Sequence, residues 1–193
     1  MLFRSSTSAA SNTITVTTTA DPATADYRTK SSGNFTNAAI WQYKYDGVNW
    51  GDAPQAPSSG NNITVMSTDS VFLNTDISMN SGKSFTVNGK IDISTRIISG
   101  AGSFVLPAGS TIYIGNATGL TGALTITNTT RDAAANYIFN GTIAQTAGLL
   151  PATITGNVII DNPYGVTLVS NKTLNTPGTL TVKRSEEHTS ELQ

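Results

Sequence analysis

The chain has 193 residues, 11 basic and 12 acidic side chains, a formal net charge of -1 and no cysteine. Near-neutral charge excludes a polybasic nucleic-acid or membrane-surface binder, and the lack of cysteine excludes disulfides, thiolate metal centres and a cysteine nucleophile. Charged residues make up only 12% and hydrophobic ones 38%; Thr, Ser, Asn, Gly and Ala fill the balance, the composition of β-rich secreted surface proteins, because Thr suits strands and Asn and Gly suit tight turns.

In chain order, the first strand signal is Ile14-Thr15-Val16. Residues 31–57 then differ in character: they hold Phe35, Trp41, Tyr43, Tyr45 and Trp50, and are read as an aromatic-rich cap over the end of a repeat core, with an aromatic ligand platform as the alternative. Residues 6–57 thus form the N-terminal strand and cap. From residue 58 onward short alternating stretches recur: Ile63-Thr64-Val65, Val71-Phe72-Leu73, Phe85-Thr86-Val87, Ile91-Asp92-Ile93, Ile112-Tyr113-Ile114, Leu124-Thr125-Ile126, Val158-Ile159-Ile160, Val166-Thr167-Leu168 and Leu180-Thr181-Val182. Each puts two apolar side chains on one face and a central residue on the other, the period of a strand. Asn88-Gly89, Ser99-Gly100, Pro107-Ala108-Gly109 and Pro177-Gly178 punctuate them as turn signals.

Many short strands with regular punctuation fit either an antiparallel β-sandwich or a parallel β-solenoid. The repeated phrase in Gly109-Ser110-Thr111-Ile112, Gly122-Ala123-Leu124-Thr125 and Gly178-Thr179-Leu180-Thr181 favours the solenoid, because similar segments stack as successive rungs. The expected fold is all-β: a parallel, right-handed β-helix-like solenoid over residues 58–183 with an aromatic-rich N-terminal cap. No apolar run approaches the ~18 residues of a bilayer span, so no membrane span is expected in this piece.

The charge total is unevenly distributed. Glu186, Glu187, Glu191 and His188, every Glu and the lone His, lie in the last ten residues. That tail resembles the conceptual translation of a short-read sequencing adapter, and the reverse complement of its Arg-Ser-Glu-Glu-His codons, started at GTG, reads Met-Leu-Phe-Arg-Ser, as at Met1 to Ser5. Residues 1–5 and 184–193 are therefore expected to carry no function, and residues 6–183 to be a piece of a longer bacterial reading frame recovered from environmental DNA.

The order Gly33-Asn34-Phe35 to Trp41, then Pro57-Ser58-Ser59-Gly60-Asn61-Asn62-Ile63, then Gly102-Ser103-Phe104 to Ser110, then Arg131 to Gly141, Leu150-Pro151-Ala152-Thr153 and Asn162-Pro163-Tyr164-Gly165-Val166 resembles repetitive ectodomains of large secreted proteins exported by the type IX system. Phe35 stands where that family's phrase has Trp, and Arg131-Asp132-Ala133 is shortened. The resemblance implies a surface-exposed, mostly β, adhesin-like stalk in an extracellular or outer-surface location, and it supplies no catalytic residues.

Outside the tail there is no imidazole for a Ser-His-Asp triad or a His zinc site, and no enzyme is expected. The alternative is a calcium-dependent polysaccharide lyase, a chemistry that would draw on Asp69, Asp76 and Asp92 with Lys90, Arg96 or Arg131. Asp46, Asn49 and Asp52 form an oxygen-rich stretch that could take calcium; with Gly47 and Gly51 they also make ordinary turns. The Asn-x-Thr triplets at Asn34, Asn62, Asn116, Asn128, Asn140 and Asn171 are ordinary in so Asn- and Thr-rich a chain. The expected function is passive display on a rigid array, with surface glycans or other extracellular polymers as partners and Trp41, Tyr43, Tyr45 and Trp50 as the ligand contacts.

Overall fold

The computed structural model describes residues 19–183. The expected strand Ile14-Thr15-Val16 and the segments 1–5 and 184–193 lie outside the described residues. Alternation over three or four residues, closed by Gly, Asn or Pro, yields strands too short to run on, and the chain coils. The first turn holds β1 (Asp26–Thr29) and β2 (Gly33–Asn34), then a 3-10 turn at Ala38–Ile40 and a hairpin of β3 (Trp41–Lys44) and β4 (Trp50–Asp52). Two regular turns follow: β5 (Asn62–Val65), β6 (Ser70–Phe72) and β7 (Ile77–Met79), then β8 (Ser84–Val87), β9 (Lys90–Ser94) and β10 (Ile98–Gly100). After them come β11 (Ser103–Leu106), β12 (Thr111–Ile114) and the helical turn α1 (Leu120–Ala123), then β13 (Asn128–Arg131), β14 (Asn136–Phe139) and β15 (Gln145–Thr146). The last elements are β16 (Thr153–Ile154), β17 (Val158–Ile160), β18 (Val166–Thr167), β19 (Thr173–Leu174) and β20 (Leu180–Val182).

Equivalent strands of successive turns pair in parallel, which makes the fold a β-solenoid of about six turns and sets aside the antiparallel sandwich. The first side is a seven-stranded sheet in the order β13-β11-β8-β5-β1-β3-β4, and the second a seven-stranded sheet in the order β2-β6-β9-β12-β14-β17-β20. Beyond β13 the first side breaks, and β16 pairs with β19 as a separate ladder. Among the described residues, antiparallel pairing is confined to β1 with β3 and β3 with β4. The solenoid thus starts at β1, inside the segment read from sequence as strand and cap.

The third side opens with β7 and β10 and then departs from expectation. Leu124-Thr125-Ile126 forms no strand: Gly119, at φ 61, turns the chain into α1, and what remains is the bridge from Ile98 to Leu124, with the Thr125 and Thr127 N–H groups donating to the Ile98 and Gly100 carbonyls. Leu120, Ala123, Leu124 and Ile126 are buried all the same, so the apolar pattern is satisfied without a full strand.

Inside, the inward residues of each side form ladders. Tyr27, Ile63, Phe85 and Phe104 are in register on the first side, and Val71, Ile91, Ile112, Tyr137 and Val158 on the second. Burying one such side chain contributes about 1.5–3 kcal/mol relative to exposure. An aromatic chain ties the cap to this core: Phe35 meets Trp41 edge-on at 5.5 Å and Phe85 at 6.0 Å, and Phe85 meets Phe104 edge-on at 6.0 Å.

The richness in Asn has a structural use at the corners. Asn62 Oδ1 accepts the Ser84 N–H, Asn136 Oδ1 the Asn157 N–H and Asn157 Oδ1 the Thr179 N–H, each one turn further on. Gln145, buried on the third side, accepts from the Gly141 N–H and from Asn162 Nδ2 and donates to the carbonyls of Ile114 and Asn116. Backbone groups left unpaired where strands end are satisfied in this way with uncharged side chains. At the Gly100 corner, φ is 102 and a Cβ would collide with the Met79 carbonyl one turn below, so only glycine fits.

Candidate functional site

The hairpin residues expected to form one aromatic platform separate. β3 alternates inward and outward, so Trp41 and Tyr43 share the inner face. Trp41 is 0% exposed and its indole N–H donates to the Phe35 carbonyl at 2.9 Å; Tyr43 is buried beside Tyr27 at 6.1 Å between ring centroids. No ligand can reach either ring without opening the core, which corrects their assignment as contacts. Tyr45 is half-buried and lies against Gly51, where any Cβ would strike the ring. Trp50 stands on the outer face, half-buried, with the Arg28 guanidinium 4.3 Å and the Lys44 ammonium 5.5 Å from its ring. Those cations already occupy the neighbourhood of the one indole that faces out.

The oxygen-rich stretch is a turn. Asp46 Oδ1 accepts the N–H groups of Val48 at 2.9 Å and Asn49 at 2.6 Å, and Oδ2 accepts from Asn49 Nδ2 at 2.8 Å. Those donors, the Asn49 backbone first, hold the Asp46 carboxyl below its ordinary pKa. Asp52 lies across from Gln42, down the hairpin from that turn, and binds Lys30 at 2.6 Å. The structure therefore does not bring Asp46, Asn49 and Asp52 together as calcium ligands, and among the described residues no three carboxylate or imidazole side chains cluster to hold a metal.

The residues considered for lyase chemistry are also dispersed. Asp69 is buried and accepts from the Thr29 hydroxyl; Asp76 accepts the Ile97 N–H at 3.0 Å across turns. Arg131 lies at the end of β13 on the first side, where Nη1 donates to Thr129 Oγ1 and burial lowers its pKa. Lys90 and Asp92 are on the second side, in β9, and Arg96 follows that strand. No groove gathers the acids around a base.

What the fold does bring together is a line on the outer face of the second sheet. Register places Asn34, Phe72, Asp92, Tyr113, Ile138 and Ile159 side by side on consecutive strands. Asp92 is half-buried; its Oδ1 accepts the Ser94 N–H at 2.8 Å, and burial raises its pKa against that bond. Ser94, at φ 52, marks a bulge where β9 slips by one residue against β12. The alternation signal marks Phe72, Asp92, Tyr113 and Ile159 as the central, outward residues of their stretches; their alignment depends on the length of each turn, which short motifs do not reveal. No known family model, curated protein or solved structure matches the chain.

Proposed function

We propose that this chain is a rigid stalk segment of a secreted or outer-surface protein, of the kind exported by the type IX system, and that it makes multivalent contacts with glycans or other extracellular polymers. The observation that carries the reading is the contrast between the two faces of the first-side strands. The inner ladders are apolar and locked, whereas outward positions repeat Thr, Asn and Ser at the rung spacing of about 4.8 Å, as at Asn62, Thr64, Thr86 and Ser103. A repeating row of neutral hydroxyl and amide groups offers many weak hydrogen bonds that add through avidity.

Affinity electrophoresis of the purified chain through gels holding soluble neutral polysaccharides tests this reading. Retardation by at least one polysaccharide is expected. Mobility identical in all gels defeats it.

A further inference from the structure

We propose that the outer face of the second sheet, at Phe72, Asp92, Tyr113 and Lys90, is a saccharide-binding strip. This inference rests on the glycan-contact reading above and moves the contact from the hairpin, where Trp41 and Tyr43 are unreachable, to the solenoid wall.

Three adjacent strands supply the strip. Phe72 in β6, Asp92 in β9 and Tyr113 in β12 are direct register neighbours, so their backbones lie about 4.8 Å apart. The inward residues beside them, Val71, Ile91, Ile93, Ile112 and Ile114, are fully buried, and this pins the outward side chains to the wall. Phe72 is 42% exposed, an apolar ring presented to solvent on the outer face of the sheet. Asp92 commits Oδ1 to the Ser94 N–H, while its Oδ2, the Tyr113 hydroxyl and the Lys90 ammonium make no hydrogen bond or ion pair among the described residues. Lys90 is exposed on the same face, two residues before Asp92.

The strip thus combines a ring, a free anionic acceptor, a phenol and a free cationic donor. A sugar matches that set. Its C–H face stacks on aromatic rings, and its hydroxyls donate to a carboxylate and accept from an ammonium in charge-assisted bonds. A phosphate polymer would be repelled by Asp92, and a divalent cation would find one carboxylate where it needs several oxygens. The bulge directly after Asp92 is the kind that re-aims a side chain next to a site. Partial burial strengthens whatever bonds the carboxylate makes, because a half-desolvated anion gains more from a donor than a hydrated one.

The test uses the full purified chain in affinity gels containing hydroxyethylcellulose, xylan, mannan or laminarin, with Phe72→Ala, Asp92→Asn and, as a hairpin control, Trp50→Ala. Asp92→Asn keeps the acceptor for Ser94 and so remains informative if Phe72→Ala folds poorly by circular dichroism. The expected result is retardation of the parent by at least one polysaccharide, about tenfold weaker for Phe72→Ala and Asp92→Asn and unchanged for Trp50→Ala. If the parent is retarded and both wall variants match it, the strip is overturned while the glycan reading stands. Loss confined to Trp50→Ala places the contact on the hairpin and also overturns the strip. A parent retarded by none of the four overturns both.

Discussion

At its N-terminal end the solenoid covers its ladders, and at the C-terminal end of the described residues it does not. The first turn sends β3 back antiparallel to β1 and adds β4 outside it, so the parallel edge is closed, and Trp41, Phe35, Ile40 and Tyr43 fill the space beneath. At the other end Leu168, Leu180 and Val182 are exposed around a cleft of about 580 Å³ lined also by Phe139, Leu150 and Val158. One register column shows the cause: Tyr137 is 0% exposed, its neighbour Val158 8%, and the next, Leu180, 60%. Their inward placement is the same; what differs is how many turns cover them. In a solenoid, burial is a property of stacking rather than of the strand.

The sharpest way to break that contrast is a pair of truncations. Trp41→Ala removes a fully buried ring and its bond to Phe35 and is expected to cost about 3–5 kcal/mol, whereas Leu180→Ala should change stability by no more than about 0.5 kcal/mol. Urea unfolding monitored by circular dichroism measures both. Equal losses would mean the two ends are held alike.

A smaller effect tests how the cap side is pinned. Asn61 is fully buried, donating to the carbonyls of Pro22 and Ala25 and accepting from the Ser58 N–H and hydroxyl. Asn61→Ala leaves several of these buried groups unpaired and is expected to cost about 1–3 kcal/mol. At the uncovered end, replacing Leu180 or Val182 with Glu should leave the unfolding midpoint nearly unchanged and reduce self-association and dye binding, because it breaks an exposed apolar patch. Sedimentation that is the same with and without the charge would show that the patch is not what associates.

The sequence made the inside of this molecule legible and left its ends and its wall obscure. Ile63, Val65, Phe85, Val87, Ile91 and Ile93 announce their common face by alternation, and all are buried. Trp41 and Tyr43 follow the same rule, yet aromatic rings serve both cores and ligand platforms, and only β1 beside β3 decides between them. Leu124-Thr125-Ile126 carries the same three-residue signal as true strands; Gly119, whose positive φ redirects the chain, is one glycine among many in the sequence. The line through Phe72, Asp92 and Tyr113 needs the length of each turn to be known, and turns here vary by several residues because corners absorb insertions.

The smallest expected effect sets the wall against the hairpin through the sign of two carboxylates. Desolvation raises the Asp92 pKa, with the Ser94 N–H opposing, whereas donors from Asn49 and Val48 lower that of Asp46. A carboxyl raised in the folded state binds its proton more tightly there than in the unfolded chain, so its contribution favours folding in acid and is lost as pH rises from the ordinary value, about 3.9, through the raised one. A lowered carboxyl contributes above the ordinary value and loses that contribution as pH falls through the lowered one. At neutral pH, Asp92→Asn should therefore equal or slightly exceed the parent in stability, since it keeps the acceptor for Ser94 and removes a half-buried charge. Asp46→Asn should be slightly less stable, since it weakens the charge-assisted bonds of the turn. The Asp92 difference should shrink toward zero at about pH 3, below both its ordinary and its raised value, whereas the Asp46 difference should persist until pH falls through its lowered value. Urea midpoints at the two pH values measure the four differences. A neutral-pH loss for Asp92→Asn matching that for Asp46→Asn would mean that the wall, like the hairpin turn, is held by its carboxylate, and the Asp92 charge would then be structural rather than free to meet a ligand.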